Sequence, residues 1–159
     1  MVESQARGFM ITNRNNLLYL LFFLGCSIAL NGCEDEQLED QIPYQSFSNI
    51  VINLNGQQYL DLNSLGYVPI DGGVKGIMLY KNPFESEYVA YERNCSFEPN
   101  SSCARVEVDG SGLFMIDPCC ESQFNFEGGL PIAGPATIPL RRYRTFLDGH
   151  FLTITDEPL

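Results

Sequence analysis

Residues 113–126 read Leu113-Phe114-Met115-Ile116-Asp117-Pro118-Cys119-Cys120-Glu121-Ser122-Gln123-Phe124-Asn125-Phe126. A short apolar run enters a polar loop that carries two adjacent cysteines. Upstream, Val106-Glu107-Val108 and Asp109-Gly110-Ser111-Gly112 complete a hairpin with residues 113–116, because Gly and Asp between two β-rich runs supply the turn. The same grammar repeats outward. Residues 143–147 and 151–155 flank Asp148-Gly149, and residues 76–81 and 88–92 flank an Asn82-Pro83 turn. Residues 66–70 form a further short run ended by Asp71-Gly72-Gly73. Residues 50–54 and 57–62 flank Asn55-Gly56, which predicts another hairpin. No window sustains a 3.6-residue period, and Pro and Gly recur too often for long helices. The expectation is an all-β protein of roughly eight to ten short antiparallel strands, a small β-sandwich or partly open barrel. Internal repeats are absent.

The chain has 159 residues, 20 acidic and nine basic side chains, a net charge of −11, six Cys and one His. That length suits one domain with a tail. Scarce Lys and Arg argue against a nucleic-acid partner, and a lone His excludes any site that needs two imidazoles. Residues 17–30 are fourteen uncharged, mostly apolar residues, the length of a signal-peptide core and short for a bilayer span. Arg7 and Arg14 precede them, and Met10 is an alternative start. The run closes in Leu30-Asn31-Gly32-Cys33, which resembles a bacterial lipobox and implies lipid attachment at Cys33. Cys26 is the competing position, but it leaves a shorter apolar core, and polarity begins directly after Cys33 with Glu34-Asp35-Glu36. That acidic run is similar to the export tag of surface-displayed lipoproteins of the Bacteroidetes. Residues 1–32 are therefore expected to be a signal peptide, 33–46 a flexible acidic tether and 47–159 the domain. Removing residues 1–32 takes away one Glu and two Arg, leaving 19 acidic and seven basic side chains and a charge of −12. Such a surface avoids anionic headgroups, so the lipid would have to hold the chain at the membrane. The expected location is the cell envelope, outer membrane or surface.

Four cysteines then remain, Cys95 and Cys103 in one loop and Cys119 and Cys120 in the other. An exported chain with an even number of Cys is read first as a disulfide framework. Joining the neighbours Cys119 and Cys120 is strained, which leaves two cross-loop pairings.

Residues 76–155 resemble the Rieske iron–sulfur domain in order and spacing. A β pair leads to a Cys-containing loop, and a hairpin leads to Asp117-Pro118-Cys119-Cys120-Glu121-Ser122-Gln123-Phe124, where that family carries Cys-Pro-x-His-Gly-Ser-x-Phe. Gly134-Pro135-Ala136 is similar to the segment that covers its cluster. The resemblance implies a Rieske-like fold with a loop-rich, cluster-binding-type subdomain. It also implies four ligand positions, since a Rieske [2Fe–2S] centre takes two Cys and two His. Here those positions are Cys95, Phe97, Asp117 and Cys120, and only Cys95 keeps the family's residue. The resemblance further implies a Cys103–Cys119 disulfide, if the first loop carries three extra residues. A Cys95–Cys120 bridge would then join former ligand positions. A twin-arginine signal, usual for export with a preassembled cluster, is not found; Arg141-Arg142 lies at the far end.

The expected function is thus a non-catalytic envelope lipoprotein without cofactor or metal, stapled by disulfides and acting on an unknown envelope protein partner. One alternative is an electron carrier holding an unusual [2Fe–2S] cluster through Cys95, Asp117 and Cys120. Another is a thiol-redox protein built on Cys119 and Cys120, although Asp117 and Glu121 beside them disfavour a thiolate. Remaining features read plainly. Tyr88, Tyr91, Phe97, Phe124 and Phe126 are packing residues, His150 is a turn residue, and the sequons at Asn94 and Asn100 are incidental. Residues 141–144 either offset local negative charge or dock an acidic partner.

Overall fold

The computed structural model describes residues 42–159; the expected signal peptide, the expected lipid-attachment residue Cys33, the competing Cys26 and most of the expected tether lie outside them. The chain is mostly β. Six strands form an antiparallel sheet in the order β1 (Ile50–Asn53), β10 (Phe151–Pro158), β9 (Arg142–Asp148), β4 (Tyr88–Glu92), β3 (Ile77–Lys81), β2 (Tyr67–Ile70). A second antiparallel sheet, β5 (Glu107–Val108), β6 (Met115–Ile116), β7 (Gln123–Phe124) and β8 (Pro131–Ala133), is inserted between β4 and β9. The all-β expectation holds, including both hairpins around residues 109–112 and 148–151.

Successive strand residues face opposite sides, and in β3 and β4 both sides are covered. Ile77, Leu79 and Ala90 join one apolar cluster with Ile52, Val68, Leu152 and Ile154 of the large sheet. Met78, Val89 and Tyr91 join the other with Met115 and Phe124 of the small sheet and Phe126 of the turn that follows β7. The unbroken buried runs in these two strands therefore mark the wall shared by the two cores. Phe126 stacks on Tyr80 at 4.7 Å and on Tyr67 at 6.0 Å between ring centroids. Tyr88, Tyr91, Phe97, Phe124 and Phe126 all pack in or against one of the two cores, as expected.

The expected hairpin at Asn55-Gly56 does not form. Strand β1 pairs with β10 instead, and residues 57–64 turn into a 3-10 segment, Gln57–Tyr59, and a short helix α1, Leu60–Ser64. The Asn53 side chain accepts the Asn55 N–H and its carbonyl accepts the Gly56 N–H, so the turn is closed locally without a returning strand. Tyr59 and Leu62, three residues apart, pack on the core while Leu60 stands 60% exposed. An alternating strand would have put Leu60 and Leu62 on one face. The expected tether also ends early. Arg141 donates to the carbonyls of Ile42 and Pro43, and Tyr44 and Ser46 donate to Asp156, so residues 42–46 are fastened to the domain. Arg142 and Arg144 face Glu87 and Glu157, which makes the basic cluster a local charge partner. Asn94 is fully buried, so the first sequon is closed to modification in the folded chain.

One buried carboxylate connects the elements. Glu92, at the end of β4, accepts hydrogen bonds from the backbone N–H groups of Val74, Lys75 and Asn94 and from the Tyr143 hydroxyl. Burial and this carboxylate hold the Tyr143 hydroxyl well above the usual phenol pKa. Gly73 makes the approach possible: its φ is +62°, and a Cβ there would stand 2.2 Å from the Glu92 Oε2. Glu92→Gln puts an amide donor among donors, and we expect a loss of about 3 kcal/mol, read from urea unfolding midpoints. Gly73→Ala is expected to destabilise at least as much; a wild-type midpoint in either variant contradicts this account.

Candidate functional site

Three loops lie at the end of the small sheet where β5 and β7 begin and β6 and β8 end: residues 93–106, 117–122 and 134–141. The first is pinned at its base by the Asn94–Arg105 bridge and by the Cys95 N–H on the Ala104 carbonyl. The Lys75 ammonium, from the loop between β2 and β3, donates to the carbonyls of Ala104 (2.8 Å), Pro99 (3.3 Å) and Ser101. Three donors meet three carbonyls. Burial lowers the pKa of this ammonium, while Asp117, Cys95 and Glu92 oppose that shift.

The second loop is a tight turn. The Asp117 N–H bonds to the Ser122 carbonyl, and the Glu121 N–H to the Asp117 carbonyl, with Glu121 at φ +62°. The Asp117 Oδ1 accepts the Cys119 N–H at 2.9 Å. The third segment covers both loops. Ser96 Oγ donates to the Ile138 carbonyl at 2.6 Å, and the Ala136 N–H donates to Ser122 Oγ at 3.0 Å. Gly134, at φ +86°, lies so close that a Cβ would stand 2.5 Å from Ser122 Cα.

Cys103 and Cys119 form a disulfide that joins the first and second loops across an exposed surface. Cys95 and Cys120 are not bonded, so the expected second bridge is not formed. Their sulfurs stand 3.8 Å apart, well beyond the roughly 2.05 Å of a disulfide. Cys120 Sγ lies 3.3 Å from Asp117 Oδ2 and 3.1 Å from Ser122 Oγ, turned toward oxygen. Cys95 is fully buried, and its Sγ receives the Phe97 N–H at 3.5 Å. Burial pushes the Cys95 thiol far above the ordinary thiol range, with Asp117 and Cys120 adding to the effect and the Phe97 amide opposing it.

Of the four positions singled out in the sequence, three therefore converge. The donor atoms of Cys95, Asp117 and Cys120 all lie within 4.8 Å of one another. The fourth, Phe97, packs its ring against the small-sheet core and has no donor atom to offer. His150 is an exposed residue of the β9–β10 turn, its ring tilted by 36° against that of Phe151. Sequence reasoning missed Glu92 and Lys75. Their signals were a carboxylate closing an apolar strand and a lone Lys inside a glycine-rich loop.

No protein-family model matches this sequence, and no curated protein sequence matches it. Solved structures do match in fold. The plasma-membrane Rieske protein PetC3 of the cyanobacterium Synechocystis PCC 6803 superposes with a TM-score of 0.51 at 19% identity, over 62% of this chain and 94% of that one. The oxygenase–ferredoxin complex of carbazole 1,9a-dioxygenase gives 0.46 at 15% identity, over 76% and 98%. The Sphingomonas yanoikuyae B1 ferredoxin gives 0.39 at 16%, over 57% and 84%. The fold is Rieske-like: a curled antiparallel sheet with a second small sheet and its loops inserted.

The disulfide spans 16 residues, for which loop closure predicts about 3 kcal/mol. Reductant, or Cys103→Ser with Cys119→Ser, should lower the unfolding free energy by about that amount in urea. Gly134→Ala should push the covering segment off Ser122 and speed amide exchange at Ala136. Unchanged exchange there would contradict the packing described.

Proposed function

We propose that this chain is a cell-envelope lipoprotein, anchored through Cys33, whose Rieske-like domain holds no [2Fe–2S] cluster and acts by binding or assembly with an envelope protein. The observation that carries this reading is the state of the four ligand positions. A Rieske centre needs two Cys and two His from the protein. These positions supply two thiols, one carboxylate and the donorless Phe97, and the domain's one imidazole, His150, sits on a hairpin turn. The three donors also face one another at close range, sulfur to sulfur at 3.8 Å and sulfur to carboxylate at 3.3 Å. That is hydrogen-bonding and contact distance, which does not suit ligands spread across two bridged irons. Residues and cluster do not fit, and no electron-transfer step is assigned.

The loops are cross-linked by other means. The Cys103–Cys119 bond, the Lys75 cap and the Ser122–Ala136 hydrogen bond hold the three together. A thiol-redox role for Cys119 with Cys120 is disfavoured because Cys119 is joined to Cys103. The acidic composition supports a protein partner over nucleic acid. Among the described residues no helix is long and apolar enough to cross a membrane, and the lipid at Cys33 is proposed as the anchor.

The test is the full-length protein expressed in a lipoprotein-processing bacterium and extracted from membranes without exposure to air. The expected product carries a diacylglycerol-type mass on Cys33, moves to the soluble fraction in Cys33→Ala, and lacks acid-labile sulfide. Two irons with two sulfides per chain would overturn the cluster-free reading. An unmodified Cys33 would overturn the lipoprotein reading.

A further inference from the structure

We infer that Cys95, Asp117 and Cys120 form a binding site for one thiophilic divalent cation of the zinc class, with one coordination position left for a ligand from outside the domain. The inference rests on the cluster-free reading above and goes beyond it, replacing the expectation of no metal with a mononuclear site.

The distances are those of a single-ion site. Around a tetrahedral ion with metal–sulfur bonds of about 2.3 Å, two sulfurs stand about 3.8 Å apart, and a sulfur and a carboxylate oxygen about 3.6 Å apart. The Cys95 and Cys120 sulfurs stand 3.8 Å apart, and Cys120 Sγ and Asp117 Oδ2 3.3 Å apart. All three donor atoms fall within 4.8 Å of one another. Two of the three pairs thus stand within tenths of an ångström of the spacing an ion sets, and the third within about 1.2 Å of it.

The donor set selects the ion. Two thiolates favour zinc and its neighbours, whereas calcium and magnesium take oxygen cages. Two thiolates and a carboxylate carry three negative charges, and a divalent ion offsets two of them. Among the described residues, Asp117 makes no salt bridge although it is fully buried. The nearby Lys75 ammonium directs its hydrogen bonds to loop carbonyls.

The surroundings hold each donor in place, as the outer partners of metal ligands do. The Cys119 N–H occupies Asp117 Oδ1 and leaves Oδ2 turned toward Cys120. The Phe97 N–H points at Cys95 Sγ. The disulfide at Cys119 ties the turn that carries Asp117 and Cys120 to the loop that carries Cys95. Cys95 and Asp117 are fully buried and Cys120 is partly exposed, so access for the ion and a fourth ligand is on the Cys120 side. Three protein ligands with an open fourth position is the arrangement of zinc sites that bind or turn over a further group.

The experiment titrates Co(II) into the full-length, detergent-extracted protein prepared anaerobically, with iron and sulfide measured on the same sample. The expected result is one Co(II) per chain, with sulfur-to-cobalt charge-transfer and tetrahedral ligand-field absorption, displaced by one equivalent of Zn(II). Cys95→Ser and Cys120→Ser should abolish the absorption. Asp117→Asn should weaken binding at least about tenfold, since loss of even an outer partner of a ligand costs that much. In case those variants fold poorly, Zn(II) should slow alkylation of Cys95 and Cys120 in the unmodified protein. No Co(II) absorption with both thiols counted free, or a Cys95–Cys120 disulfide in protein taken anaerobically from cells, overturns the metal site and leaves the cluster-free reading standing. Two irons with two sulfides overturns both.

Discussion

A carboxylate with no exposure to solvent organises this domain. Glu92 collects four donors from three places in the sequence: two amides of the β2–β3 loop, the amide at the root of the Cys95 loop, and the hydroxyl of Tyr143 on β9. A buried charge is tolerated only when its lone pairs are filled, so these elements are held to one geometry. The consequence reaches the loops. Fixing residues 73–75 sets the start of the Lys75 side chain, and its ammonium in turn gathers the carbonyls of Pro99, Ser101 and Ala104. Fixing the Asn94 amide sets where Cys95 enters the site. The cysteine loop is thus tied at its base by Glu92 and across its body by Lys75.

The loop cluster is accordingly held by several contacts within the protein. A disulfide links the first two loops, and hydrogen bonds from Ser96 and to Ser122 dock the third. Gly134 permits the third segment to lie directly against the Ser122 backbone, at a distance where any side chain would collide. Apolar burial continues beneath: Cys95 belongs to the same cluster as Tyr91, Phe124 and Phe126, and Phe97 and Cys120 pack on its edge. In such a setting Phe97 extends the core where a polar side chain would face a desolvation cost.

Much of the fold was legible because short strands announce themselves through turn chemistry. Asp109-Gly110-Ser111-Gly112 and Asp148-Gly149 sit where hairpins form, and the aromatic positions of β4 and β7 are core. The failure at Asn55-Gly56 has a physical reason. A turn signal reports only that the chain bends; it does not report that the next segment returns as a strand. Strand β1 found its partner in β10, about a hundred residues away, and the Tyr59/Leu62 pair buried itself at helical spacing. The site was half legible. The resemblance to the Rieske domain implied the convergence of Cys95, Asp117 and Cys120 and the Cys103–Cys119 pairing, which the residues alone left open. The bonding state of Cys95 and Cys120 did not follow, because it depends on a few ångströms set by the Asp117 turn. Glu92 and Lys75 escaped because all but one of their partners, the Tyr143 hydroxyl, are backbone groups, which residue identity does not reveal.

The same turn explains why two thiols in contact need not close into a bridge. Cys119 and Cys120 are neighbours, so their side chains leave the backbone in different directions. With Cys119 committed outward to Cys103 on the exposed side, Cys120 is directed inward to Asp117 and Ser122. A Cys95–Cys120 bond would require the sulfurs to approach from 3.8 Å and Cys120 to leave those oxygens, in a turn already constrained by the left-handed Glu121 and the covering Gly134 segment. The outer disulfide thus separates the two adjacent cysteines in role. One closes the loops on the surface, and the other stays beside a buried carboxylate and a second thiol, with the three donor atoms within 4.8 Å of one another.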